Sequence, residues 1–407
     1  MLKTSVIHRK WLPPFHPVSW GVIMGTLLSR TGFFMTIPFL GIYLGEVKGL
    51  DPTTIGAILG VSFLVGTFSS FFGGALSDRI GRYPVMIFSI FLWSLVFLAF
   101  TLADSAWSFL ILNAVNGFCR NVFEPTARAL LTDVTREEER VSVFNARYFA
   151  INIGGAAGPL LGLQLGSSVS ELPFHICASI YALYGVAIIA LMLRYGRNSR
   201  AGSKTSVDLK SSMKVIFSDK VFRYFLIGNL FVMAGFSHLE TTLSQYLGGN
   251  RIGTYSYLFF INAASVLLLQ YPIIALAKRV TALTALKIGS ILFGLGLFGF
   301  GYFTELPGLI VSMVIFTIGE ILCMVIGDVV IGEIAPEQLR GTYYGASGFS
   351  FLGQSFGAWI GGYLLSSFGL GQGPLIFGIL MCLTFFAYPF FQLGQSSHNR
   401  QNTTLAG

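Results

Sequence analysis

Twelve apolar runs, each near 20 residues long or more, divide the chain from end to end. A helix of about 20 apolar residues crosses the hydrocarbon core of a bilayer, where every backbone polar group needs a partner within the protein. The runs at 18–46, 53–76, 83–103, 106–132, 142–166, 172–194, 222–248, 253–277, 283–304, 308–333, 341–367 and 373–394 are therefore predicted to be transmembrane helices. Only 11% of the 407 residues are charged, against about a quarter in soluble domains. The expected fold is all-α and integral to the lipid bilayer. One long polar segment, residues 195–221, follows the sixth run and reads as a cytoplasmic linker between an N-terminal half (1–194) and a C-terminal half (222–407).

Charge sets the orientation. If both termini are cytoplasmic, the inner segments hold about twenty of the 26 Lys and Arg, and the outer loops hold only Lys48 and Arg251. That is the positive-inside asymmetry of a multi-pass protein, here expected in the cytoplasmic membrane. The net charge of +8 is thus a topology signal and not a nucleic-acid surface. Cys119, Cys177, Cys323 and Cys382 sit singly in apolar runs, without metal-ligand spacing or a disulfide pattern. There is no nucleophile–base pair, metal cluster or phosphate loop, so the chain does not read as an enzyme. No cofactor or metal is expected.

Between the second and third runs stands Gly74-x-Leu76-Ser77-Asp78-Arg79-x-Gly81-Arg82-x-Pro84. Gly74 allows close helix approach, Gly81 permits a tight turn, and Pro84 suits the start of the next helix. This segment resembles the loop between helices 2 and 3 of the major facilitator superfamily of secondary transporters. The halves also match each other at a shift of 200: Ala75-Leu76-Ser77-Asp78-Arg79-Ile80 falls on Ala275-Leu276-Ala277-Lys278-Arg279-Val280. Two related six-helix halves fit a transporter whose substrate site lies between them at mid-membrane. Asp133 is expected to pair with Arg82 or Arg79, and Asp78 to face the start of the eleventh helix around 341–347. Together these groups would latch one conformation.

Ionisable residues inside a bilayer are costly and mark function by default. Glu320, near the middle of the tenth helix, is placed to take a proton from one side and release it on the other; the alternative is a carboxylate permanently stapled to an arginine. Glu240 in the seventh helix is the second candidate for proton coupling or cation recognition. His238, two residues earlier, is off its face and reads as a cavity or packing residue. Arg120 and Glu124 are four apart and are expected to neutralise each other, the alternative being a substrate site in which a ligand competes for either charge, with Pro125 breaking the helix beside them. Arg30 needs an acid across the cavity. Asn113, Asn116 and Asp328 complete the candidate cavity lining.

The fifth helix carries Gly154, Gly155, Gly158, Pro159 and Gly162. Gly155, Gly158 and Gly162 are expected to form a bare strip for close packing, with Pro159 adding a bend. The pattern resembles the antiporter motif of the superfamily's exporting branches, and Gly353, Gly357 and Gly361 repeat the spacing without the proline. Thr36-Ile37-Pro38-Phe39-Leu40-Gly41-Ile42-Tyr43-Leu44, Gln270-Tyr271 and Thr317-x-Gly319-Glu320-Ile321 resemble the drug:proton antiporters, the branch of the bacterial multidrug and dipeptide exporters. The resemblance implies proton-coupling and cation-binding roles for Glu240 and Glu320. The chain departs from that pattern at Asn113, where an arginine of the fourth helix is common; Arg120 lies two turns further on.

The function these features predict is proton-driven export of small amphipathic compounds, whether drugs, lipophilic cations or short peptides, by a monomer with the proton gradient as its energy source. Proton-coupled uptake or exchange of a specific metabolite is the alternative within transport. A membrane receptor or assembly factor on the same fold is the alternative outside it.

Overall fold

The computed structural model describes residues 15–166, 169–196, 218–335 and 346–406, with the single residues 214 and 343. Among them there is helix and no strand. The first six helices are α1 (Pro17–Glu46), α2 (Pro52–Ile80), α3 (Arg82–Phe100), α4 (Ala106–Val134), α5 (Glu137–Gln164) and α6 (Leu172–Tyr195). After the linker come α7 (Lys220–Glu240), continued by a short helix Thr242–Leu247, then α8 (Ile252–Ala277), α9 (Ala282–Tyr302) and α10 (Leu306–Ile334). The last two are α11 (Leu352–Phe368) and α12 (Gly373–Phe385), the latter continued by Ala387–Ala406. Most of the linker lies outside the described residues.

The helix ends follow local chemistry. Asp51 caps α2 through the backbone N–H groups of Thr53 and Thr54, and Asp219 caps α7 through those of Val221 and Phe222. Ser105 and Ser108 form a reciprocal capping box at the start of α4. Gly81 ends α2 and opens α3 in one residue, at φ +100°. That left-handed backbone is cheap only for glycine, which explains why a single residue can serve as the whole loop.

Eight helices are long and apolar enough to cross a membrane on composition alone. The other four spans are α4, α5, α7 and α11. Their polarity is concentrated where they face protein: α4 carries Arg120, Glu124 and Arg128, α5 carries Arg147, and α7 ends on Glu240. Apolar side chains left open, such as Phe88 and Leu95 of α3 and Leu183 and Leu193 of α6, provide the lipid-facing surface. Twelve spans thus remain the architecture.

Burial follows the repeat. One hydrophobic cluster is drawn from α1 to α6, centred on Trp93, Phe97 and Tyr181. Trp93 and Phe97 both stack on Tyr181, at 4.6 and 5.2 Å between ring centres. Two further clusters belong mainly to α7–α12, with Phe34, Phe39 and Ile42 of α1 reaching into one of them. The glycines repeat the relation. A Cβ on Gly154 or Gly158 would meet α1 backbone at 2.9 and 2.8 Å, while the equivalents Gly353 and Gly357 lie directly against the backbone of α7. Here the expectation needs correcting: Gly154, and not Gly155, pairs with Gly158. Gly155 has only ordinary contact with Phe34, because residues four apart return to one helix face more closely than residues three apart do when the helices run side by side.

The halves meet closely on the side away from the termini. Gly56 of α2 abuts Ala358 of α11, and Gly362 abuts Pro52. Tyr255 of α8 donates a hydrogen bond of 3.4 Å to the Pro38 carbonyl of α1. On the termini side, Arg128 of α4, Tyr148 of α5 and Asp328 of α10 are exposed. Arg128 and Asp328 nevertheless lie within each other's electrostatic reach.

Candidate substrate and proton site

Three groups of charged side chains lie between the helices. The first is a triad. Arg30 of α1 donates to Glu124 of α4 at 2.6 Å, and Arg147 of α5 donates to the other carboxylate oxygen. This gives Arg30 its acid. It also overturns the expected Arg120–Glu124 pair: Glu124 is taken up by α1 and α5, while Arg120 turns to Phe33, its guanidinium carbon 4.8 Å from the ring centre. Gly154 supports the triad, since the Cβ it lacks would lie 2.8 Å from that of Arg30. Arg147 was visible in the sequence as a cation inside an apolar run; its partner was not.

The second group is at the centre. A small cavity is lined by Phe33, Phe63, Asn113 and Arg120 from the first half and by Glu240 and Thr241 from the second. Asn113 donates to the Ile58 carbonyl at 2.6 Å and accepts from Asn116 at 2.8 Å. Asn116 in turn accepts from the Trp93 indole at 2.6 Å. Asn116 is therefore a relay that holds Asn113 and Trp93, not a cavity wall as expected. His238 is likewise displaced from the cavity: it is buried against α11 and bonded through Nδ1 to Thr242 Oγ1 at 2.8 Å. The sequence did not reveal the break at Thr241, which interrupts α7 right after Glu240.

The third group surrounds Glu320 of α10. Asn262 of α8 donates to its carboxylate at 2.7 Å and to Thr317 Oγ1 at 3.0 Å. Among the described residues no cation pairs with Glu320, while the charge of Glu240 reaches it. Asn262 is one of several polar residues in the eighth run, and nothing in the spacing pointed to it. The two carboxylates Glu124 and Glu320 thus differ in kind, one fixed between two arginines and the other held by a neutral amide.

The sequence pattern of the Major Facilitator Superfamily matches residues 22–351. The chain belongs to that superfamily. It is 37% identical to the MFS-type transporter YqjV of Bacillus subtilis, over 97% of each chain. It is 26% identical to a Na(+), Li(+), K(+)/H(+) antiporter of Planococcus maritimus, covering 90% of this chain and 93% of that one. A further relative at 26% is the multidrug resistance protein MdtH of Yersinia enterocolitica, over 84% of each. Among solved structures, a mutant form of the nucleoside transporter NupG superposes with a TM-score of 0.81 at 14% identity, over 92% of this chain and 99% of that one. The POT family transporter PepTSo superposes with a TM-score of 0.78, also at 14%, over 96% and 99%. These likenesses establish the fold. This superfamily member is a multi-pass membrane transporter and not an enzyme.

The superfamily loop is partly visible. Arg82 Nε lies 3.1 Å from Asp133 Oδ2, and Arg82 Nη1 donates to Ser77 Oγ at 2.6 Å. Arg79 is exposed. The side chain of Asp78, the surroundings of Gly74 and the segment around 341 lie outside the described residues, and with them the expected contact of Asp78. In the α5 motif Pro159 and Gly162 are buried.

Proposed function

We propose that this transporter exports small amphipathic compounds across the cytoplasmic membrane in exchange for protons, with its termini inside. The observation that carries this reading is the environment of Glu320, half-buried in mid-span with a neutral Asn262 as its hydrogen-bond partner and no arginine beside it among the described residues. An ionised carboxylate in low dielectric needs a counter-charge or a proton. Glu124 has two arginines and keeps its charge. Glu320 is balanced only by a proton or by a cationic group of the substrate, and this alternation is the core of antiport.

In this mechanism Glu320 loads a proton on one side of the membrane and releases it on the other. Glu240, whose charge reaches Glu320, shares the cavity with Arg120 and couples substrate occupancy to that exchange. The α2–α11 contacts of Gly56 and Gly362 seal the side away from the termini, and substrate enters from the cytoplasmic side. Arg82 with Asp133 latches this state. Export is favoured over uptake by the α5 glycine pair against α1 and by antiporter and multidrug relatives; no cofactor is required.

Purified protein in vesicles loaded with a pH-sensitive dye tests the reading. A panel of lipophilic cations, neutral drugs and dipeptides is added under an imposed proton gradient. Substrate-dependent proton movement is expected. Its absence for every compound shown to be transported would refute proton coupling.

A further inference from the structure

The central cavity has two poles, and they come from opposite halves. We propose that Arg120 and Glu240 together recognise a small zwitterion, the guanidinium taking its carboxylate and the Glu240 carboxylate taking its ammonium group. The proposal rests on the transport reading above and narrows its substrate.

The geometry is specific. Arg120 and Glu240 line the same cavity, yet among the described residues neither side chain has a hydrogen bond or an ion pair. Glu240 is 8% exposed as a residue, so a mostly buried acid lines the cavity with no hydrogen-bond partner among the described residues. Buried charges without partners are rare because they are costly. Here each lies within the other's field, which moderates the cost without a contact. A ligand bearing both charges supplies the missing contacts at both ends.

The wider charge pattern has the same sense. Towards the interior, the first six helices contribute Arg30, Arg120, Arg128 and Arg147 against the single acid Glu124. The last six contribute Glu240, Glu320 and Asp328. Lys287 of α9 is spent elsewhere, bonded to Gln392 and Gln395 of the final helix. One wall is therefore cationic and the other anionic. A simple cation gains at Glu240 but is repelled by Arg120, and a simple anion meets the reverse. A molecule with a charge of each sign gains at both, and by bridging the halves it also gives them a reason to move together. Phe33 and Phe63 beside the poles offer apolar surface for a side chain.

The test uses the full chain in vesicles without a pH gradient, so that it is independent of proton coupling. Counterflow is measured for labelled phenylalanyl-alanine, its N-acetyl form, its C-terminal amide, and tetraphenylphosphonium. The zwitterionic peptide is expected to exchange with an apparent affinity about ten-fold or more above either blocked form and above the lipophilic cation, the loss expected for one charge-assisted contact. Arg120→Gln should erase the preference for the free carboxylate over the amide, and Arg120→Lys should restore part of it. Glu240→Gln should erase the preference for the free amine over the acetyl form. Equal exchange of all four compounds, preference for tetraphenylphosphonium, exchange of none, or an Arg120→Gln protein with the wild-type ratio would each overturn the proposal. The wild-type panel decides even if a variant fails to fold. Proton movement with lipophilic cations alone would overturn the zwitterion site and leave antiport standing. Peptide exchange without proton movement would do the opposite.

Discussion

Replacing Glu124 with glutamine keeps the shape of the triad and removes its only negative charge. In the native arrangement Glu124 balances Arg30 and Arg147 at once, and the three side chains are 16%, 15% and 8% exposed. The triad carries one net positive charge; Glu124→Gln leaves two, facing each other with no counter-ion. Breaking a buried pair by removing one partner costs about 3–5 kcal/mol, and at about 1.4 kcal/mol per factor of ten this is a loss of roughly a hundred- to several-thousand-fold in the ratio of folded to unfolded protein. Arg30→Gln and Arg147→Gln act differently, because each leaves a neutral Arg–Glu pair behind. Both should cost less than Glu124→Gln. Equilibrium unfolding of the three variants in mixed detergent micelles, followed by tryptophan fluorescence, reads the order. If Glu124→Gln were as stable as the wild type, or more stable than both arginine variants, the triad would not be the electrostatic staple described above.

Gly158→Val places branched carbons on the α1 backbone near Thr31 and Met35; overpacking of this kind costs about 1–3 kcal/mol, while Gly155→Ala at an open contact should be tolerated, and thermal unfolding compares the two. The hydroxyl of Thr54, followed by the backbone N–H groups of Thr54 and Thr53, holds the Asp51 carboxyl below the usual carboxylate range. The folded state therefore favours the ionised cap: its stabilisation, about 1 kcal/mol, is present above the unfolded carboxyl's range near pH 4 and disappears as pH falls through the lower folded value. The stability difference between wild type and Asp51→Ala should be flat above about pH 5 and close in acid; a difference that widened in acid would contradict the cap. Arg82→Gln breaks a partly exposed contact with Asp133 worth about 1 kcal/mol or less, so stability should barely change while turnover does, and unchanged turnover in vesicle transport would remove this pair from the latch.

What the sequence made legible follows from period and polarity. Apolar runs and alternating basic loops are written directly in residue order, so the twelve spans emerge without tertiary knowledge. Even the α1–α5 packing was half visible, because small residues at helical spacing have few other uses in lipid. Partner choice was harder. Arg120 and Glu124 satisfy the i, i+4 rule, yet Glu124 bonds to Arg30 and Arg147, which are 94 and 23 residues away. Rotation of α4 about its axis decides this, and it is set by how α4 packs on α2 and α3. Asn262 and the break after Glu240 were missed for the same reason: an amide in an apolar run acquires meaning only when Glu320 is placed opposite it. His238 and Asn116 were misplaced because a polar residue in a membrane helix can satisfy itself within its own half as readily as line a cavity.

The central claim is that Glu320 carries the exchanged proton. The most direct measurement compares two modes of transport by Glu320→Gln in the same vesicles: accumulation driven by an imposed pH gradient, and counterflow with none. The account predicts that accumulation is abolished while counterflow persists near the wild-type rate, since the substitution keeps the Asn262 hydrogen bond within reach and removes only the titrating group. Gradient-driven accumulation at the wild-type level would contradict it.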